Sequence, residues 1–334
     1  AAKETAERHG IPKYYVDPYK MLEEEKPDII SVCTPNAYHK EYTLAGFRVG
    51  CHVVCEKPVA VTCADAEEMF NAAEKAGKHL FVIQSLRFTG NFKAAAGLAK
   101  SGCLGDIYYA DLNLVRRRGV PRWGMFHMAK ENVGGAFCDL GVHMCDYLMS
   151  ISGNPKMVSV SGSAVTRIVN KEKNIEFSNA ESGAPTGLFT PRKFDMKEFD
   201  VEEFANGYIR LENGMTVTFK ISWALNLPNS NTVSICGDKG GLTIGDDGLK
   251  LLTTQGNYQA DVLPRVFPDP YTELSDFPGH IHEMNYILKV LNGEMTMEEY
   301  PIQKDEVMNV VAIIEAFYKS AQLGREVTAQ ELDR

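Results

Sequence analysis

Between Pro27 and Lys100 the sequence alternates short, almost wholly apolar runs with longer stretches of helical periodicity. Asp28-Ile29-Ile30-Ser31-Val32-Cys33-Thr34 is the first such run. A strand with little polar character on either face belongs in a parallel sheet covered on both sides. Pro35-Asn36 ends it, and a helix runs from there to Val49, capped by Gly50. His52-Val53-Val54-Cys55 is the next strand, Thr62 to Ala76 a helix closed by Gly77, and Leu80-Phe81-Val82-Ile83-Gln84 a third strand. This alternation specifies a parallel sheet with helices on both faces. Ligands of such sheets bind beyond the carboxyl ends of the strands. That rule singles out Thr34-Pro35-Asn36, Glu56-Lys57-Pro58 and Ser85-Leu86-Arg87-Phe88.

Upstream, Ala1 to His9 reads as the end of a helix stopped by Gly10 and Pro12, Lys13 to Val16 as a short strand, and Pro18 to Glu25 as a helix. After a helix over Phe92 to Lys100 and a break at Gly102 and Gly105, the pattern changes. Ile107 to Arg118 is one long strand, followed by a loop carrying Pro121, Trp123 and His127. Past Gly153 come strands without intervening helices: Met157–Ile168, Gly207–Leu211, Met215–Trp223 and Thr232–Cys236. Asn213-Gly214 predicts a type I′ hairpin, and residues 170–200, polar and broken by Gly and Pro, a long loop. The end is helical, over Ile281–Leu291 and Asp305–Leu323, with Gly324 as the stop. The apolar alternation of Met215–Trp223 predicts a second sheet packed on this one. A homo-oligomer, dimer or tetramer through the open sheet face, is expected from it.

At 334 residues the chain is long enough for two domains. A net charge of −9 disfavours nucleic acid and anionic membrane surfaces as partners. No apolar run reaches the ~18–20 residues of a membrane-spanning helix. The eight cysteines form no CxxC pair and no zinc-ligand spacing, which fits a reduced, cytoplasmic enzyme without a metal.

The stretch richest in chemistry is Gly134-Gly135 and the helix predicted after it. Phe137, Leu140, Met144, Leu148 and Ile151 recur at steps of three and four as an apolar stripe. Asp139, His143, Asp146 and Ser150 form a polar stripe beside it. Asp139 and His143 are one turn apart, so the carboxylate can orient or charge the imidazole. Taken alone, the same pattern also describes a solvated face or a satisfied core histidine. Lys57 is the second anchor, held extended by Pro58 at the ligand edge of the sheet.

Cys33-Thr34-Pro35-Asn36-Ala37-Tyr38-His39, Cys55-Glu56-Lys57-Pro58 and Gly134-Gly135 with Asp139-Leu140-Gly141-Val142-His143 resemble, in order and spacing, the glucose–fructose oxidoreductase/inositol dehydrogenase (Gfo/Idh/MocA) family. The similarity runs to Ser320-Ala321-Gln322-Leu323-Gly324-Arg325-Glu326-Val327. The resemblance implies a Rossmann-type dinucleotide-binding domain over residues 1–103. An α+β domain with a large, mainly antiparallel sheet would follow over 104–334. It implies Lys57, Asp139 and His143 as the catalytic set, Pro35, Asn36, Glu56 and Pro58 at the nicotinamide end of an NAD cofactor, NADP being the alternative, and Thr34, His39 and Lys57 as further cofactor contacts. It also implies a cis Lys57–Pro58 bond. Arg116-Arg117-Arg118-Gly119-Val120-Pro121-Arg122-Trp123-Gly124, Leu188-Phe189 and Ser222-Trp223-Ala224-Leu225-Asn226 look most like glucoside 3-dehydrogenases. The family opens with a strand, a GxGxxG turn and a second strand bearing an acidic residue. This sequence carries none of them, and a family member would have roughly 30–40 residues more ahead of Ala1.

The implied chemistry is oxidation of a secondary hydroxyl of a sugar or glycoside, with a glucoside C3 hydroxyl foremost. A myo-inositol or polyol dehydrogenase, or a non-catalytic sugar sensor on the same fold, are the alternatives. His143 has the intrinsic pKa of a general base, Asp139 would tune or orient it, and cationic Lys57 would stabilise charge developing on the oxygen. Arg87 and Trp123 are candidate cofactor contacts and Arg117 and His127 candidate substrate contacts; Trp123 is equally an ordinary buried tryptophan. His280-x-His282-Glu283 has metal-like spacing but sits at a helix start, where it reads as bland.

Overall fold

In the computed structural model of the protein, residues 2–171, 182, 196–275 and 277–332 are described. The predicted loop of residues 170–200 and the Leu188-Phe189 motif fall largely or wholly outside them. Helices α1 (Ala2–His9) and α2 (Pro18–Glu25) lead into β1 (Ile29–Val32). Asp17 caps α2 by accepting from the Tyr19 and Lys20 amides. Lys13–Val16 is not a strand. Lys13 and Tyr15 bond to Glu25 instead, tying the segment to α2 with no ladder beside it.

α3 (His39–Arg48), β2 (His52–Cys55), α4 (Cys63–Ala76) and β3 (Leu80–Val82) complete a parallel sheet in the order β1-β2-β3. Val53, Val54, Cys55, Phe81 and Val82 are buried, as strands covered on both faces require. α4 starts on the Thr62 hydroxyl and stops at Gly77, whose φ of +62° suits glycine. Helix α5 (Gly90–Lys100) leads into the second half.

The second half is a nine-stranded sheet among the described residues. Its strands are β4 (Ile107–Val115), β5 (Met157–Val165), β6 (Phe204–Leu211), β7 (Thr216–Ser222), β8 (Ser230–Gly237), β9 (Gly241–Gly245), β10 (Gly248–Gln255), β11 (Tyr258–Val262) and β12 (Val327–Thr328). They lie in the order β11-β10-β9-β8-β4-β7-β6-β5-β12. β4 and β7 run parallel, while the other neighbours are antiparallel. Helices α6 (Ala129–Asn132), α7 (Val142–Ser152), α8 (Pro278–Leu291) and α9 (Lys304–Leu323) complete the fold. The alternation in β7 turns Val217, Phe219 and Ile221 inward, where Phe219 and Phe317 flank Phe137 with ring centroids 4.9 and 4.0 Å away. Each such ring contributes about 1.5–3 kcal/mol on burial. The apolar alternation is therefore satisfied within the chain by helices. The opposite face carries Tyr109, Asp111 and Thr218, bonded to one another.

The Asn213-Gly214 turn is a hairpin of a different type. Only Gly214 has positive φ, at +83°, and the Gly214 amide bonds the Leu211 carbonyl. The loop is a three-residue turn with glycine in the left-handed position, not the two-residue I′ form. The strands β9 to β11 carry glycines and exposed polar positions, and their pattern is too weak to read from sequence.

Candidate active site

The stretch after Gly135 is helical, but it opens as a π-helix over Phe137–Gly141 before α7 begins. The preceding glycines are required by close approach. A Cβ on Gly135 would lie 2.0 Å from the Glu202 carbonyl oxygen, and one on Gly134 would lie 2.1 Å from the Tyr318 hydroxyl. The buried Glu202 carboxylate accepts from the amides of Gly135 and Phe137 at 2.8 and 2.9 Å and from Tyr318 at 2.9 Å. It thereby satisfies amides that a helix start leaves without partners. Burial pushes the Glu202 pKa up, and the Phe137 amide works against that.

This opening turns Asp139 toward the first sheet. The Lys57 ammonium donates to the Asp139 carbonyl at 2.7 Å and to its Oδ1 at 3.0 Å. The Trp223 indole donates to Oδ2 at 3.1 Å. Burial works to raise the Asp139 pKa, but Lys57 and then Arg116 overcome it and hold the group below the ordinary carboxylate range. The expected bond from His143 to Asp139 is not formed: the carboxylate is turned to Lys57 and Trp223 instead. Nδ1 of His143 is buried without a hydrogen-bond partner. Burial, followed by the Lys57 charge, drives the His143 pKa well below its usual value, so the imidazole is neutral at pH 7.

Lys57 and Asp139 border a cleft of about 330 Å³, lined also by Cys33, Thr34, Pro35, Asn36, His39, Glu56, Asn132 and the segment Trp123–Phe126; His143 is not among the lining residues. The carboxyl ends of β1 and β2 form one lip, as the sheet rule requires. His39, which is buried, joins the two strands. Its Nδ1 lies 2.8 Å from the Pro58 carbonyl and its Nε2 2.9 Å from that of Thr34. The Lys57–Pro58 bond is cis. Asn36 bonds the Asn132 carbonyl at 3.0 Å, tying the β1 end to the loop before the site helix. The buried Thr34 hydroxyl has no partner. A polar lip with an orphaned hydroxyl, in the same cleft as Trp123, fits the nicotinamide end of a dinucleotide. Thr34, Pro35, Asn36, Glu56 and Lys57 would hold it.

Three expected contacts lie elsewhere. Arg87 is not offered to a cofactor: it is buried and bonds Asp146 twice, at 2.8 and 2.6 Å, and Glu306 at 2.7 Å. This also removes Asp146 from the supposed polar stripe. Arg117 is exposed; its neighbour Arg116, largely buried and bonded to the Ser182 carbonyl, is the arginine whose charge reaches Asp139 and His143. His127 is buried beside Glu198 at 3.6 Å and does not line the cleft. Sequence reasoning missed Trp223, Glu202 and Arg116 as neighbours of Asp139 and the turn that carries it, since each comes from a strand or loop far away in the chain. It also treated His280 as bland. That ring stands at the start of α8, 4.0 Å from Glu56, and its charge reaches His143. His282 points away and bonds Asp269 at 2.7 Å.

Two family models match the chain. One, described as an oxidoreductase family NAD-binding Rossmann fold, covers residues 1–84, and one described as the oxidoreductase family C-terminal alpha/beta domain covers residues 97–329. The D-glucoside 3-dehydrogenase of Escherichia coli K12 is 31% identical over 328 residues, 98% of this chain and 86% of that protein. The myo-inositol 2-dehydrogenase of Thermotoga maritima is 30% identical over 151 residues, 45% of this chain and 44% of its own. A levoglucosan dehydrogenase, solved with NADH and levoglucosan, has the same fold at a TM-score of 0.76 and 19% identity, covering 99% of this chain and 87% of that one. With both domain models matched in order, the chain belongs to the Gfo/Idh/MocA oxidoreductase family.

Proposed function

We propose that the protein oxidises a secondary hydroxyl of a sugar or glycoside to a ketone, with the C3 hydroxyl of a glucoside as the group and NAD as the hydride acceptor. The observation that carries this reading is the half-buried Lys57–Asp139 pair near a neutral His143, at the lip where a nicotinamide would sit. When bound, the nicotinamide would supply the site that takes hydride from the substrate carbon. The chain's own residues manage the proton. His143, kept neutral by burial, takes the hydroxyl proton as the carbonyl forms. A lysine ammonium has three donors. Asp139 accepts from Lys57 at its carbonyl and at Oδ1, which leaves a further N–H to steady the substrate oxygen as charge develops on it. Trp123 supplies an apolar wall for a sugar ring or the nicotinamide.

The choice of a glucoside rests on the resemblance to the glucoside dehydrogenase, and the match to an inositol dehydrogenase keeps a polyol as the second reading. A sugar sensor without catalysis is disfavoured by the retained lysine, aspartate and histidine. The reading includes a homo-oligomer through the open face of the large sheet, which light scattering tests; finding only monomer removes it. The decisive experiment follows NADH formation by the full-length protein across glucosides, inositols and free sugars, each with NAD and with NADP. Glucosides are expected to give the highest kcat/KM. No turnover with any of them, alongside clear cofactor binding, sinks the dehydrogenase reading.

A further inference from the structure

We infer that Trp223 is a positioning residue of this site: by holding Oδ2 of Asp139 it commits the carboxylate to Lys57 and keeps it from His143. Trp223 follows β7 and is fully buried. Its backbone is fastened on both sides, its amide to the Glu203 carbonyl at 2.8 Å and its carbonyl to the Gly119 amide at 2.7 Å. The ring therefore has no freedom to follow Asp139; Asp139 must come to the ring. The indole N–H is the side chain's one polar atom, and it meets Oδ2 at 3.1 Å while Lys57 takes Oδ1 at 3.0 Å.

The consequence falls on His143. An aspartate four residues before a histidine on a helix ordinarily reaches the imidazole. Such a pair is charged more readily, because the carboxylate favours the protonated ring. Here the π-helical opening and the Trp223 bond turn the carboxylate away, and Nδ1 is left buried without a partner. The groups whose charges reach His143 are Lys57, Asp139, His280 and Arg116. Burial and the Lys57 charge lower the imidazole pKa most; Asp139 is the anion among these groups, and its orientation sets how strongly it opposes them. Trp223 decides that orientation.

The role in catalysis rests on the dehydrogenase reading, but the titration of His143 does not, so the two can fail separately. Trp223→Phe removes the donor and some volume. Replacing Trp223 by benzothienylalanine removes only the N–H and keeps the bicyclic shape, which decides the matter if the phenylalanine variant folds poorly. In both, the His143 imidazole resonances, assigned by their loss in His143→Gln, should titrate about one pH unit higher, the scale of one charge-assisted hydrogen bond. The acid limb of the kcat–pH profile should rise by the same amount, with KM for the sugar changing less than kcat. An unchanged His143 titration in the benzothienylalanine protein, at native thermal stability, overturns the inference. A shifted titration in a protein that turns over no sugar upholds it and sinks the catalytic reading instead.

Discussion

Lys57 meets Asp139 twice, donating to its backbone carbonyl at 2.7 Å and to its carboxylate at 3.0 Å. A single flexible side chain from the end of β2 thus clamps the opening of the site helix, and this ion pair joins the two halves of the chain at the cleft. Lys57→Met keeps the stem and deletes the charge. Transition-state stabilisation by a positioned cation is worth about 10²–10³ in kcat, and steady-state kinetics should show a loss of that size. A loss confined to KM would assign Lys57 to binding alone.

The depressed pKa of His143 fixes the direction of a pH response. Its folded value lies below that of the unfolded chain, so the ring stays neutral in the native state from pH 7 down past its ordinary value. Turnover should therefore be level with respect to this group across neutral pH and fall only in more acidic solution. The same displacement makes the unfolded state bind the extra proton first, so acid favours unfolding through this residue. His143→Asn should lose about 10²–10⁴ of kcat with little change in NADH affinity measured by fluorescence. Unchanged turnover would falsify its role as base.

Glu283 has the opposite displacement. It is buried, accepts from the Gln84 amide at 3.0 Å and from Tyr300 at 3.3 Å, and burial pushes its pKa up to about 8. A raised acid contributes stability that is complete at low pH and is lost as pH climbs through the folded value. Glu283→Gln removes that loss. Its melting temperature relative to the parent should rise between pH 5 and 9, and a constant difference across that range would contradict the assignment.

Arg87 tests the correction to its expected role. Removing one partner of a buried ion pair leaves the other charge uncompensated, a cost of about 3–5 kcal/mol. Arg87→Met should destabilise the protein by that amount in urea, through the stranded Asp146. Cofactor affinity of the folded fraction should be near that of the parent; a selective loss of NADH binding would restore the cofactor contact.

Neighbouring arginines separate a site residue from a surface one. Arg116→Gln removes a cation that helps hold Asp139 ionised, and kcat should drop several-fold. Arg117→Gln, on the exposed side of the same segment, should leave kcat and KM unchanged within about twofold, since surface substitutions rarely matter. Equal effects of the two would mean that the segment acts through its backbone.

The candidate site was legible in part because its residues stand at places that local rules mark. Lys57 lies just past an apolar strand, and Asp139 and His143 follow a glycine pair. The reading failed where distance along the chain was involved. Periodicity put Asp139 against His143, but the partner that claims its Oδ2 is Trp223, more than eighty residues away. Arg87 and Asp146 look like independent polar candidates until folding brings them to 2.6 Å.

By itself the sequence determined the parallel β1-β2-β3 layer, the ligand edge of that layer and the residue types gathered there. Those follow from side-chain periodicity and turn chemistry, which act over a few residues. Only the tertiary structure decided which carboxylate oxygen faces which donor. It also decided that the apolar face of β7 is covered by α9 and the helix opening at Phe137, and that His143 is neutral. Hydrogen-bond geometry and burial depend on groups from several segments at once, and no local pattern encodes their meeting.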